Sequence, residues 1–343
     1  MTIESLRALA VAIGLDAGRY QSLLDDPRRL ASELQMVGHA TDDEIVLGML
    51  ARIAIGGALD ESKQTLSRLA AWAQENFRSS TIAFAWAARR DGASLAHMLR
   101  TMIETVPAVV PFTAGVAVFL SDELKLTVLL TLAGHPSADT REHLFALLGT
   151  HRRLVPPGTI SVRSMPDSVL IPLLEVGLSD PSPNVRVRAI AYAYGVGAVG
   201  KVRPHILRNL FHDDLTVRRY AMICLGMLAD AESLEFLRAK LSSPEQGEVV
   251  ASIWALARRP EGVGFVIEMA GRADLAEEIM GAIAEVSAPL DDETLARLRG
   301  AVYTPTAAQQ IERHLDRTRL GAPERGSDGQ VDYLVKAENA PRT

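Results

Sequence analysis

The chain has 343 residues, 48% of them hydrophobic but only 5% aromatic, with a formal net charge of −6. That length serves two ordinary domains or one extended repeat array, and a core drawn from Ala, Leu, Val and Ile suits helix packing better than a β-sandwich. The acidic balance argues against a general nucleic-acid binder, which needs a surplus of Lys and Arg. One cysteine, Cys224, excludes an internal disulfide framework and a cysteine-rich zinc site, and fits a reducing cytoplasm.

The opening "MTIESLRALAVAIG" places Glu4 ahead of its apolar run and lacks a small-residue cleavage site, so it does not read as a signal peptide. Helical segments are expected through residues 1–155. Within them "STIAFAWAARRDG" (80–92) resembles "VVASIWALARRPEG" (249–262) with one gap. The longest apolar run, "VPAVVPFTAGVAVFL" (106–120), is shorter than the roughly 20 residues a membrane span needs and reads as a buried helix after a Pro-rich turn.

From residue 139 the sequence repeats itself. "DTREHLFALLG" (139–149), "NVRVRAIAYAYGVG" (184–197) and "TVRRYAMICLGMLA" (216–229) share a polar start, an arginine and an apolar tail. Setting Val185 on Val217 also pairs Asn184 with Thr216, Arg186 with Arg218 and Ala189 with Ala221. Asn184, Thr216 and Asp139 are therefore expected as helix caps, because their side-chain oxygens accept a first-turn amide. Val217, Ala221, Cys224, Leu225 and Leu228 recur along one helical face, which makes Cys224 a small core residue.

A shorter amphipathic run precedes each of the later two starts, Leu170–Leu178 and Ile206–Phe211, so the unit is helix, turn, helix. The segment 156–167, "PPGTISVRSMPD", reads as an irregular connector between the N-terminal repeats and a C-terminal set over 168–319. The later copies fade. "GEVVASIWALARR" (247–259) has lost the arginine, and 263–271 with 275–286, then 291–302 with 306–317, read as further helix pairs. Composition marks 320–343 as a disordered tail with one apolar island, "VDYLV".

"LSDPSPNVRVRAIAYAYG" (178–195) resembles a HEAT-type repeat, as do 210–229 and, more faintly, 139–149. The resemblance, which extends to armadillo-type and PBS-lyase HEAT-like proteins, implies an all-α, right-handed α-solenoid of antiparallel helix pairs. It also implies a ladder of turn aspartates and arginines running from repeat to repeat, to which Asp180, Arg186 and Arg218 correspond. The second copy departs from this pattern, with His212 at the aspartate's position.

Function is less constrained. Between His151 and Tyr220 ten basic residues face five acidic ones, so the middle repeats are locally basic within an acidic chain. A basic concave face would attract an acidic peptide or a phosphate backbone. Arg188, Tyr192, Arg219 and Tyr220 are the candidate partner contacts, being repeat positions outside the ladder. His135, His143 and His151 fall eight residues apart, so the nearest two helical positions are ~12 Å apart along the axis, too far for one metal ion.

No "HE" pair, HExxH, GxSxG or Gly-rich phosphate loop occurs, so neither a di-iron hydroxylase nor a common hydrolase is indicated and no cofactor is expected. The reading is a non-enzymatic, cytoplasmic scaffold or adaptor for a protein or peptide, without a membrane span. The alternatives are a nucleic-acid or phosphate-backbone binder using the basic middle repeats, and a lyase or transferase accessory of the PBS-lyase HEAT type.

Overall fold

The structure is a computed structural model, and it describes residues 3–15, 26–33, 41–59, 61–106, 110–150, 165–228, 230–269, 271–284 and 292–301. The described residues form helices and their turns. In order they are α1 (Ile3–Ala12), α2 (Pro27–Glu33), α3 (Asp42–Ile55), α4 (Lys63–Glu75), α5 (Phe77–Thr105), α6 (Val110–Ala117), α7 (Asp122–Ala133), α8 (Ala138–Thr150) and α9 (Asp167–Leu178). There follow α10 (Pro183–Gly195), α11 (Arg203–Asn209), α12 (Leu215–Leu225), α13 (Ala231–Lys240), α14 (Gln246–Leu256), α15 (Pro260–Glu268), α16 (Ala276–Ala284) and α17 (Asp292–Gly300). The helices pack in a repeating pattern of antiparallel pairs. The chain divides into two compact units, Met1–Gly177 and Leu178–Thr343. Most of the expected connector at 156–167, the pair member at 306–317 and the expected tail at 320–343 lie outside the described residues.

In the first unit, local chemistry sets the helix ends. Thr41 and Glu44 form a reciprocal capping box at the start of α3, and Gly56 closes that helix with φ 68°, a left-handed backbone that glycine adopts without a Cβ clash. α5 is two helices meeting at Asp91, whose φ of −150° and ψ of 79° interrupt the run. The Asp91 carboxylate accepts the Ser94 amide at 3.0 Å and the Ser94 hydroxyl at 2.7 Å, capping the second half. Those hydrogen bonds hold its pKa below the ordinary value. The apolar run at 106–120 yields α6, where Val110, Phe112, Ala114, Val116 and Ala117 are buried and Phe112 meets Phe84 edge to face at 4.9 Å.

In the second unit, α12 packs on α10 and on α14, and α14 packs on α16, while α11, α13 and α15 cover them as the other members of the pairs. The second helices form a row in which Val185, Ala189, Ile190, Val217, Ala221, Cys224, Ile253 and Leu256 fill the core. Cys224 is fully enclosed, and burial pushes its thiol pKa up, as suits a small core residue. The start residues differ from expectation. α10 begins at Pro183 after Ser182, and α12 at Leu215 after Asp214, so the caps lie two residues before Asn184 and Thr216. Asp214 accepts the amides of Thr216 and Val217, and Pro183 enters α10 where a missing amide costs nothing. Phe211 is also not on the buried stripe, for it stands 75% exposed.

Candidate partner-binding face

The repeated arginine has one local role in all three copies. Arg141 Nη1 donates to the carbonyls of His135 and Pro136 at 2.7 and 3.0 Å. Arg186 Nε donates to the Asp180 carbonyl and its Nη2 to that of Ser179. Arg218 Nη1 donates to the carbonyls of His212 and Asp213, both at 2.8 Å. Each guanidinium thus closes the turn that leads into its own helix, satisfying carbonyls that the preceding helix leaves unpaired.

The residue six places before each arginine folds the turn with its side chain. Asp180 Oδ1 accepts the Ser182 amide at 2.8 Å. In the same place His135 Nδ1 accepts the Ser137 amide at 3.1 Å, and His212 Nδ1 accepts the Asp214 amide at 3.0 Å. An imidazole nitrogen with a free lone pair therefore replaces the carboxylate oxygen, which explains how His212 stands where the first copy has aspartate.

Links to the next repeat use different acceptors. Arg186 Nη1 reaches Asn209 Oδ1 at 3.0 Å, and the fully buried Asn209 returns its amide to the Leu178 carbonyl at 3.0 Å. Arg218 Nε pairs with Glu248 Oε1 at 2.8 Å. Glu248 also receives Lys240 and Ser243 on Oε2, each at 2.8 Å. Burial pushes the Glu248 pKa up, but hydrogen bonds from Lys240, Ser243 and Arg218 outweigh it and hold the carboxyl below its usual value. The fourth start, which lacks the arginine, contributes this acidic acceptor instead.

The four candidate contacts separate by burial. Tyr192 is fully enclosed, its hydroxyl has no hydrogen-bond partner among the described residues, and desolvation pushes its pKa up. Tyr220 is 3% exposed. Both rings are core residues, since Tyr192 sits seven places after Val185 on the stripe that buries Cys224 in the next copy. Arg188 and Arg219 are half-buried. Arg219 carries no hydrogen bond or ion pair among the described residues, and desolvation lowers its pKa.

These arginines belong to accessible stripes along the second helices. On α10 the stripe is Asn184, Arg188, Ala191 and Gly195; on α12 it includes Thr216 and Arg219; on α14 it is Gly247, Val250 and Trp254. A Cβ on Gly247 would stand 3.2 Å from Arg219 Cδ, so the absence of one lets the arginine stem lie across the start of α14. Trp254 uses Gly281 of α16 in the same way, with its ring 3.0 Å from where a Cβ would be. Trp254 and Val250 escaped the sequence reading, although the complement of the buried stripe on α14 contains both. Of the other basic residues here, Arg203 pairs with Glu232 at 3.0 Å on an exposed surface, and Arg208 is exposed.

Comparison with known proteins agrees with this architecture. Residues 170–257 match the family model of HEAT repeats. The chain is an all-α repeat protein resembling HEAT and armadillo-type solenoids. A solved structure, the crystal structure of Cex1p, is similar at 15% identity and a TM-score of 0.42, over 90% of this chain and 60% of that chain. This chain therefore spans less than two thirds of that protein's length. No curated protein matches it. Among the described residues no helix is long and apolar enough to cross a membrane, and no group of His, Cys, Asp or Glu is placed to hold a metal ion. The fold is consistent with a protein–protein interaction scaffold.

Proposed function

We propose that the protein is a non-enzymatic scaffold whose second helices, from α10 to α16, bind an acidic segment of another protein. The observation that carries this reading is Arg219. Its guanidinium is half-buried and unpaired among the described residues, at the edge of accessible stripes otherwise formed by Ala191, Val250 and Trp254. A cation already stripped of part of its water loses little more when a carboxylate arrives, and the bidentate pair it forms is strong and directional. Arg188 lies on the α10 stripe, so a segment crossing the row would meet both arginines at the starts of their helices. The neighbouring apolar positions then supply burial for aliphatic or aromatic side chains between the acids.

Selection from a random displayed-peptide library on the immobilised protein tests this. Enriched peptides should combine Asp or Glu with large apolar residues, and should lose at least tenfold in affinity to the Arg188→Glu/Arg219→Glu variant. Enrichment without acidic bias, or unchanged affinity for the double variant, would overturn the assignment. A nucleic-acid ligand would instead show heparin retention that weakens steeply with salt.

A further inference from the structure

Stacked repeats ordinarily interact only with their immediate neighbours. Tyr194 and Arg258 depart from that rule, being 64 residues and two repeats apart yet in contact. Arg258 Cζ lies 5.0 Å from the centroid of the Tyr194 ring, and its Nη1 donates to the Tyr194 hydroxyl. Tyr194 is in the last turn of α10 and only 4% exposed, whereas Arg258 lies two residues past the end of α14. Between them runs α12, which Gly226 caps at its C-terminus.

Gly226 brings the outer two within reach. A Cβ there would stand 2.4 Å from the Ala255 carbonyl oxygen and 2.9 Å from the Ala255 Cα, so only glycine lets the last turn of α12 lie so close to that of α14. The next residue completes the grip, because Arg259 Nη2 donates to the Met227 carbonyl at 2.7 Å. Two consecutive arginines therefore reach back by one repeat and by two. The earlier "ARR" segment has one of these contacts: Arg90 Nη2 donates to the Ala54 carbonyl at 3.0 Å, near the end of α3.

We propose that the Tyr194–Arg258 pair is a staple that couples the first and third second helices of this unit directly. The C-terminal ends of α10, α12 and α14 then open as one cooperative block instead of one repeat at a time. A cation held against a ring in a desolvated setting is strong enough to do this, and the block it creates includes Trp254, at the C-terminal end of the accessible face on α14. The coupling itself does not depend on what that face binds.

Native-state hydrogen exchange on the full chain tests it. In Arg258→Met the amides of Val196 and Ala198, which bond to the Tyr192 and Ala193 carbonyls at the end of α10, should exchange about tenfold faster. The Gly226 amide of the intervening helix, bonded to Met222, should change less. Adding Tyr194→Phe to Arg258→Met should give less than the combined effect of the two alone, the sign of a direct pair. If protection instead falls off evenly from α14 through α12 to α10, or the two substitutions are additive, the staple is refuted. Should Arg258→Met not fold, Arg258→Gln, which removes the charge and the fork while keeping a polar side chain, gives the same readout.

Discussion

Arg218→Ala is the substitution that weighs most heavily on the second unit. Arg218 spends one nitrogen on the carbonyls of His212 and Asp213, at 2.8 Å each, and another on Glu248 Oε1 at 2.8 Å. Glu248 is 4% exposed, so water does not readily replace the lost donor. Breaking a buried ion pair by removing one partner costs roughly 3–5 kcal/mol. Here Lys240 and Ser243 remain on Oε2, so the cost falls to the lower part of that range, about 3 kcal/mol including the two carbonyls left open. Urea unfolding followed by Trp254, in a chain whose Trp72 and Trp86 are replaced by phenylalanine, reads the second unit. With a slope of about 2–3 kcal/mol per molar for a unit of this size, the midpoint should fall by about 1 M. Arg203→Ala removes only exposed contacts to Glu232 and Asp230 and should move the midpoint much less. Equal shifts for the two variants would refute the claim that the recurring arginine binds turn to turn and repeat to repeat.

Arg186→Ala leaves the buried Asn209 Oδ1 without its donor and should cost about 2 kcal/mol, read in the same titration. Glu248→Gln should destabilise at neutral pH, because its amide presents a donor to Lys240 and Arg218. The folded-state pKa of Glu248 lies below the ordinary 4.5, so its contribution is full above that value and is lost as pH falls through the lowered one. The melting-temperature gap between wild type and Glu248→Gln should therefore shrink as pH drops from 6 to 3; a gap that widens would contradict the assignment. Gly226→Ala forces a Cβ against the Ala255 backbone and should cost about 1–3 kcal/mol, whereas Gly195→Ala, with nothing within 4 Å, should not destabilise. Thermal melts of the two variants separate these outcomes.

The repeat architecture was legible because its cause is local. A valine that enters the core and an arginine that closes the turn recur at fixed distance, and both leave a mark in one dimension. The caps were legible only to within a turn, since Ser182, Asp214, Asn184 and Thr216 are all good cap residues and the choice between them rests on turn geometry. His212 looked like a break because its equivalence to Asp180 lies in one lone pair of the ring and not in charge. Glu248 was hidden for a related reason: it answers Arg218 from thirty residues away, at a start where the arginine motif has gone.

Placing the tyrosines on a binding face overlooked their position on the helix. Tyr192 follows Val185 by seven, a core spacing, and Tyr220 follows Val217 by three, a flanking position that is buried on α12 and half-buried on α10, where it carries Arg188. Arg219 follows Val217 by two and falls outside the core stripe. The accessible stripe, Arg188 apart, was therefore readable as the complement of the buried one, although the glycines beside it, Gly247 and Gly281, gain meaning only once the neighbouring helix is in place.

The central claim is that an acidic segment lies on the second helices of the C-terminal unit. Its most direct test is a photo-crosslinkable side chain at Val250, on the accessible stripe of α14, with the same group at Glu235 on α13 as control. The account predicts that a selected acidic peptide crosslinks at position 250 and not at 235, and that unlabelled peptide suppresses the product. Crosslinking at 235 with none at 250 would contradict it.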